Sequence, residues 1–267
     1  MSTIRVLVSG AGGRMGQEVC RAVDRADDLL LVAAVDVQYV GEPLGQVAGI
    51  KGCELQVQRS LSDAIAASSP DVVVDFTQPY SRYANFRATL DGGARPVVGT
   101  TGWTPQDLSE AEQACREAGL GAVIAPNFAI GAILMMRFAA MAAKHMPSVE
   151  IVELHHDAKL DAPSGTAAKT AALIAEARRA AGVHPPQPEG APNTAARGLD
   201  LDQVRIHSVR LPGLLAHQET LFGGLGQTLS IRHDTISRES FMPGVLLACH
   251  RVMALDGLVY GLEALLD

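Results

Sequence analysis

Ile4-Arg-Val-Leu-Val8 followed by Ser9-Gly-Ala-Gly-Gly-Arg-Met-Gly16 decides the fold. The first five residues are a short apolar run rich in β-branched side chains, which predicts a buried strand. A glycine-rich turn comes next, then a helical pattern to about Arg25, then Leu30-Leu-Val-Ala-Ala-Val-Asp36, a second strand ending in an acid. This is a βαβ unit with glycines in its first turn and a carboxylate about 20 residues beyond them. Gly10, Gly13 and Gly16, with Gly12 as an extra, are spaced G-x-x-G-x-x-G instead of the usual G-x-G-x-x-G. Alone, such a turn is a weak signal, because a tight turn that binds nothing has the same residues. With its strand, helix and acid it predicts a dinucleotide site. The glycines let the backbone approach a pyrophosphate at a helix N-terminus, and the acid accepts from ribose hydroxyls.

The same alternation continues. Asp71-Val-Val-Val-Asp75, Arg95-Pro-Val-Val98 and Gly121-Ala-Val-Ile-Ala125 read as further buried strands, with helical stretches near 80–90 and 105–118. Repeated βα units predict an α/β, Rossmann-like, doubly wound parallel sheet, with ligands at the carboxyl ends of its strands. Phe76-Thr77, Gly99-Thr-Thr101 and Ala125-Pro-Asn-Phe128 begin there. They are candidates for the nicotinamide side of the cleft, or else ordinary βα loops.

After about residue 127 the pattern changes. A helix from roughly Gly131 to His145 precedes Val149–Leu154, which alternates as a half-buried strand, and a second helix runs from about Thr166 to Ala181. Residues 182–200 are rich in Pro, Gly, Ala and Asn and read as a loop. Val204–Leu211, Ala216–Phe222 and Gln227–His233 follow as closely spaced strands separated by glycine turns. These elements predict a second, α+β domain with a mostly antiparallel sheet. A helix from about Ser240 to Leu255, then Gly257–Leu262, reads as a return to the first domain. The expected division is a dinucleotide-binding domain over 1–127, completed by 238–267, and a substrate-binding and oligomerisation domain over 128–237.

Glu153-Leu-His-His-Asp-Ala-Lys-Leu-Asp-Ala-Pro-Ser-Gly-Thr166 carries the chemistry. Imidazole moves protons near neutral pH. A lysine can hold an anion or donate a proton. Ser164-Gly165-Thr166, after Pro163, opens a helix, where unpaired backbone N–H groups bind carboxylate or phosphate. Ser164 suits the N-cap. Proton donors beside an anion cradle point to a small, negatively charged substrate. Adjacent histidines on a continued strand face opposite ways, so His155 and His156 should differ in role unless the strand ends there.

Composition narrows the rest. The chain has 267 residues, is nearly half apolar and carries a net charge of −7. It is globular, with no basic stripe, so nucleic acid is not an expected partner. Because the overall charge repels an anionic substrate, local cations must gather it. Cys20, Cys53, Cys115 and Cys249 are scattered, without metal-type or C-x-x-C spacing, and read as reduced thiols in small apolar sites. A metal site is not expected, since adjacent histidines are not the usual ligand spacing. No signal peptide or membrane-spanning run is evident, so membrane association is not expected and a cytoplasmic location is.

Taken together and in order, Gly10–Gly16, Gly99-Thr-Thr-Gly102, Asn127-Phe128, the Glu153–Thr166 stretch, Ile206-His-Ser-Val-Arg-Leu-Pro212, His217-Gln-Glu219 and Arg232-His-Asp234 with Arg238 and Phe241 resemble the 4-hydroxy-tetrahydrodipicolinate (dihydrodipicolinate) reductase family over nearly the whole chain. The histidine–lysine–SGT stretch is the specific part. The resemblance implies an NADH- or NADPH-dependent enzyme of the diaminopimelate route to lysine. Such an enzyme reduces a cyclic imine dicarboxylate to tetrahydrodipicolinate with release of water, and is typically a homotetramer built through the second domain's sheet. It implies His155 as proton donor/acceptor, Lys159 as proton donor, His156 as a substrate contact, and Gly165 and Thr166 as the carboxylate cradle. For the cofactor it implies Gly10, Ala11, Gly12, Gly13, Arg14 and Met15 under the pyrophosphate and Asp36 on the adenosine ribose. Gly99, Thr100, Thr101, Ala125, Pro126, Asn127 and Phe128 would flank the nicotinamide.

One position departs from some members of the family, which have arginine after the ribose acid, where it can pair with the NADPH 2′-phosphate. This chain has Val37. The expectation is that NADH serves at least as well as NADPH, with Arg14 compensating in part. His207, His217 and His233 are expected in structural or interface roles, and Arg238 as an organising residue. Two other readings compete. One is another two-domain oxidoreductase of amino-acid metabolism; a semialdehyde dehydrogenase needs a cysteine nucleophile in a strand-to-helix loop, and none is evident. The other is a sensor that binds NADH without turnover, which the His155–Lys159 pair argues against.

Overall fold

The computed structural model describes residues 3–185 and 195–266. The chain forms two compact units, one of Met1–Ala129 with Arg238–Asp267, the other Ile130–Ser237.

In the first unit, β1 (Ile4–Ser9), α1 (Arg14–Arg25) and β2 (Leu29–Val35) make the expected βαβ element. α2 (Leu44–Ala48), β3 (Val57–Gln58) and α3 (Leu61–Ser68) follow, then β4 (Val72–Asp75), α4 (Arg82–Asp91), β5 (Arg95–Val98), α5 (Pro105–Ala118) and β6 (Ala122–Ile124). α5 starts where its residues dictate. Pro105 sits in the first turn, and Thr104 and Asp107 form a reciprocal capping box. On the described residues the sheet order ends β6-β5-β4-β1-β2-β3, all parallel. The chain winds outward from β1 in one direction and from β4 in the other. The order therefore reverses between β1 and β4, the point where open α/β sheets bind ligands. Leu7, Ala33, Val35, Ile65 and Val73 pack together across this reversal. Phe86, Leu90, Val98, Ala111, Cys115 and Ile124 form a second core under α4 and α5.

The second unit begins with α6 (Ile130–Ala143) and β7 (Ser148–His155), followed by α7 (Gly165–Ala181), β8 (Leu199–Leu201), β9 (Val204–Arg210), β10 (Ala216–Gly224) and β11 (Gln227–Thr235). Its strand order is β11-β10-β7-β9-β8. β7 and β9 pair in parallel and the other neighbours antiparallel. Both helices pack on one face, where Val149, Ile151, Val204, Ile206 and Phe222 meet Ala139, Ala143, Ala171 and Ile174. Burying each of the larger aliphatic side chains contributes about 1.5–3 kcal/mol.

The chain then returns to the first unit through α8 (Met242–Arg251), and β12 (Leu258–Tyr260) pairs in parallel with β6 at the sheet edge.

Two expectations need correction. The loop over 182–200 ends in a strand, because Leu199–Leu201 pairs antiparallel with β9. The turn between them is Asp202-Gln203, both at positive φ (54° and 60°). It lacks the glycine that would have flagged it, and three residues are too few to show alternation. Residues 186–194 of that loop lie outside the described residues. The helix expected over 240–255 is α-helical only from Met242 to Arg251, with 3₁₀ turns at Arg238–Phe241 and Val252–Ala254. Pro243 falls in its first turn, where a missing N–H costs nothing.

Candidate active site

The glycine-rich loop leaves β1 and is tied to the end of β2, where the N–H groups of Gly10 and Ala11 donate to the Val35 carbonyl at 2.8 and 3.0 Å. Gly10 has φ +82°, and a Cβ there would lie 2.8 Å from the Phe76 carbonyl oxygen. Gly16 lets α1 approach the loop, because its Cβ would sit 2.0 Å from the Gly10 oxygen. α1 has no side-chain cap, which suits its first-turn N–H groups to a phosphate. Gly13 and Arg14 are exposed and Met15 is half-buried. Asp36, just past β2, accepts from the N–H groups of Gly12 and Gln38, both at 2.8 Å. Val37 is 69% exposed. These residues fit a dinucleotide. The loop carries backbone donors of the kind a pyrophosphate takes, and the acid is an acceptor of the kind ribose hydroxyls use.

At the ends of β4 and β5 the expected nicotinamide residues divide. Asp75 is buried and accepts from the Thr77 N–H and hydroxyl at 2.8 and 2.7 Å, from the Thr100 hydroxyl at 2.9 Å and from the Asn85 amide at 2.7 Å. The Thr100 hydroxyl is thus committed to the loop, whereas Thr101 is exposed. Gly99 has no room for a side chain, since its Cβ would lie 2.1 Å from the Phe76 ring. Phe76 in turn packs on Phe128 with centroids 5.7 Å apart. Ala125 and Phe128 are buried, Pro126 is exposed, and the Asn127 side-chain oxygen accepts from the Ala129 N–H. Asp75 and Asn85 escaped the sequence reading, although an acid closing an apolar strand was visible.

In the second unit, β7 ends at His155, so the strict alternation that would have separated His155 from His156 stops there. The His155 Nδ1 lies 2.5 Å from Oε2 of Glu153, whose side chain is fully buried. Arg210, at the end of β9, donates to both oxygens of Glu153 at 2.8 and 2.9 Å and to the Asp161 carbonyl at 2.8 Å. Burial pushes the Glu153 carboxyl up, but the hydrogen bonds from His155 and Arg210 outweigh it and hold the group at about 2. Ser164 caps α7, accepting from the Ala167 N–H at 3.2 Å, and its own N–H donates to Glu153 at 3.3 Å. Gly165 and Thr166 are the first helical residues, and a Cβ built on Gly165 would meet nothing within 4 Å. Their N–H groups open α7 at the positive end of its dipole.

Lys159 lies on the intervening loop with a partner the sequence did not suggest, Asp161, at 2.6 and 2.8 Å. Glu153 and Arg210 were also missed as site residues. The available signal was the phase of β7, which places Glu153 on the same inward side as Val149 and Ile151.

His207, His217 and His233 lie on β9, β10 and β11. His207 Nε2 is 2.8 Å from Glu150, and His217 Nδ1 is 2.6 Å from Asp234. His233 abuts Gly131. Arg238 opens the 3₁₀ turn before α8. Cys20, Cys115 and Cys249 are buried within helices, and burial pushes their thiols up to about 12, which makes them poor nucleophiles.

The family model for "Dihydrodipicolinate reductase, N-terminus" matches residues 4–128, and that for the C-terminus matches 131–266. The chain belongs to the dihydrodipicolinate reductase family. Among relatives of that family, the 4-hydroxy-tetrahydrodipicolinate reductase of Halalkalibacterium halodurans is 52% identical over 99% of this chain and 100% of its own. The one from Moorella thermoacetica is 49% identical over 100% and 99%. A dipicolinate-bound dihydrodipicolinate reductase from Paenisporosarcina sp. TG-14 superposes with a TM-score of 0.84 at 44% identity, covering 99% of this chain and 100% of that one. An amine dehydrogenase from Mycobacterium smegmatis (TM-score 0.68, 15% identity, 98% of this chain and 96% of that one) shares the fold. Dihydrodipicolinate reductases are oxidoreductases with a nicotinamide-binding first domain, and the glycine loop and Asp36 of this chain fall within the matched N-terminal region. No helix of the described residues is long and apolar enough to cross a membrane.

Proposed function

We propose that the chain reduces 4-hydroxy-tetrahydrodipicolinate to tetrahydrodipicolinate, with release of water, in the diaminopimelate route to lysine. The observation that carries this reading is the conjunction, within one unit, of the Glu153-bound His155, Lys159 and the open N-terminus of α7. The first unit is the dinucleotide-binding domain. When bound there, the reduced nicotinamide supplies a hydride to ring carbon C4. The second unit holds the dicarboxylate. The N–H groups of Gly165 and Thr166 receive one carboxylate, with the helix dipole favouring the anion. Lys159 adds a charge-assisted bond and His156 a further contact. The hydride needs a proton elsewhere on the ring, and His155 and Lys159 are the donors the site offers.

For the cofactor, the reading is that NADH serves at least as well as NADPH. Asp36 repels a 2′-phosphate, and Val37 offers it no cation, leaving the exposed Arg14 as partial compensation. Gly99, Thr100, Thr101 and Ala125 to Phe128 flank the nicotinamide, the buried ones through their main chain.

A homotetramer belongs to the same reading. It is supported by the sheet face opposite α6 and α7, where the half-buried Val152, Leu154 and Val209 and the exposed Leu221 form an apolar band. A cytoplasmic location accords with a biosynthetic enzyme that consumes reduced nicotinamide.

The test is a coupled assay. The unstable imine is generated in situ from pyruvate and aspartate semialdehyde by the preceding synthase, and NAD(P)H absorbance is followed. Oxidation that needs every component and is lost in His155→Ala is the expected result. Tight NADH binding without oxidation would overturn the reading in favour of a sensor or another substrate.

A further inference from the structure

We propose that Glu153 is a positioning residue for this reduction. It turns the Nδ1 proton of His155 inward, which makes Nε2 the atom that exchanges a proton with the substrate, and it anchors the anion-binding turn through Ser164. The proposal rests on the function argued above.

The geometry is that of a carboxylate used as a hub. β7 alternates, with Val149 and Ile151 facing the helices and Glu153 next in the same phase. An ionised group in that position costs several kcal/mol unless it is fully paired. Here donors converge on both oxygens, the Ser208 side chain among them. Oε2 accepts from His155 Nδ1 at 2.5 Å and from Arg210 at 2.9 Å; Oε1 accepts from Arg210 at 2.8 Å and from the Ser164 N–H at 3.3 Å. An ionised carboxylate is an acceptor only, so Nδ1 must be the donor of its short bond. One tautomer of the imidazole is selected, as a metal-bound or triad histidine is oriented by the acid behind it. The same hub reaches the rest of the site. Ser164 is the N-cap of the helix whose next two N–H groups form the cradle, and Arg210 also holds the Asp161 carbonyl on the loop that carries Lys159. Glu153 is therefore not itself a proton donor. It sets the direction of one donor and the placement of the groups around it.

Glu153→Gln separates positioning from mere support. A glutamine amide puts donors where Arg210 and His155 already donate. The conflict is relieved at the histidine when Nδ1 loses its proton and accepts, which moves the ring proton to Nε2. The experiment uses full-length protein labelled with ¹⁵N-histidine, with His155→Asn to assign the resonance. Nδ1 protonated in the wild type, whether the ring is neutral or charged, and Nε2 alone protonated in Glu153→Gln is the expected pair of spectra. The corresponding kinetics are a fall in kcat of about 100-fold or more, as when the orienting acid of a histidine is neutralised. NADH affinity stays unchanged, and the affinity for dipicolinate falls far less than kcat. A wild-type His155 protonated on Nε2 alone, or a folded Glu153→Gln enzyme with wild-type kcat, would overturn the proposal. If Glu153→Gln does not fold, the wild-type spectrum decides it. If the wild type shows the Nδ1 proton but never oxidises NADH with the imine, it is the function that fails, and the orientation of His155 stands.

Discussion

Lys159 and Asp161 form a two-pronged ion pair, with Nζ 2.6 Å from one carboxylate oxygen and 2.8 Å from the other. The lysine holds the Asp161 carboxyl below the ordinary range. A substrate carboxylate approaching Lys159 must share it with, or take it from, this neighbour. Asp161→Asn is therefore expected to lower the KM for the imine. Lys159→Ala is expected to reduce kcat/KM by about 10- to 100-fold, the worth of a hydrogen bond to a charged group, with losses in both kcat and KM. Steady-state kinetics of the two variants check this, and a Lys159→Ala enzyme with unchanged constants would remove the residue from the site.

Arg210 and Glu153 are a buried pair, so removing one partner should cost more than removing both. Arg210→Met is expected to destabilise the fold by about 3–5 kcal/mol because it leaves the Glu153 charge uncompensated. Arg210→Met with Glu153→Leu should recover much of that loss while leaving the enzyme inactive. Denaturant melts alongside turnover report both halves. Equal stability of Arg210→Met and the wild type would mean the pair does not bear on the fold.

Gly165 has open space where a side chain would stand. Nothing in the chain itself demands glycine there, and alanine is the better helix former by up to about 1 kcal/mol. Gly165→Ala should leave Tm unchanged or slightly raised, yet raise the KM for the imine by placing a methyl group where the carboxylate docks. A fall in Tm with an unaltered KM would show that the glycine serves the fold instead.

Asp107 sits at about 2, held down first by the Thr104 backbone N–H and then by Arg82 and the Thr104 hydroxyl. Its folded value lies below the ordinary 3.8, so the stabilisation it gives is complete above about pH 4 and is lost as the pH falls towards 2. The Tm gap between the wild type and Asp107→Asn should be fully open at neutral pH and closed by the acid end of that window. A gap independent of pH would assign the effect to packing.

The first βαβ unit was legible in the sequence because each part is a local event. A β-branched run, a glycine turn, a helix start and a terminal acid are each written in neighbouring residues, and together they imply the β1–α1–β2 unit. Ser164 as a cap was legible for the same reason. The short elements were not. α2, β3, α3 and β8 span at most eight residues each, too few for a period to emerge, and the Asp202-Gln203 turn enters the left-handed region without glycine.

What the sequence by itself determined, then, is the order of the longer strands and helices, the candidate site residues that stand close together in the chain, and the family they resemble. Tertiary structure alone decided the pairing of charges. Glu153 and Arg210 are 57 residues apart, and β7 and β9 pair in parallel. Only that pairing, with β7's inward face buried by α6 and α7, takes the carboxylate out of water and brings Arg210 and Ser208 to it beside His155 and Ser164. The phase of β7 puts Glu153 on the inward side, but does not say what meets it there. Its role arises from desolvation and from donors brought in by distant segments, and neither can be seen in local sequence.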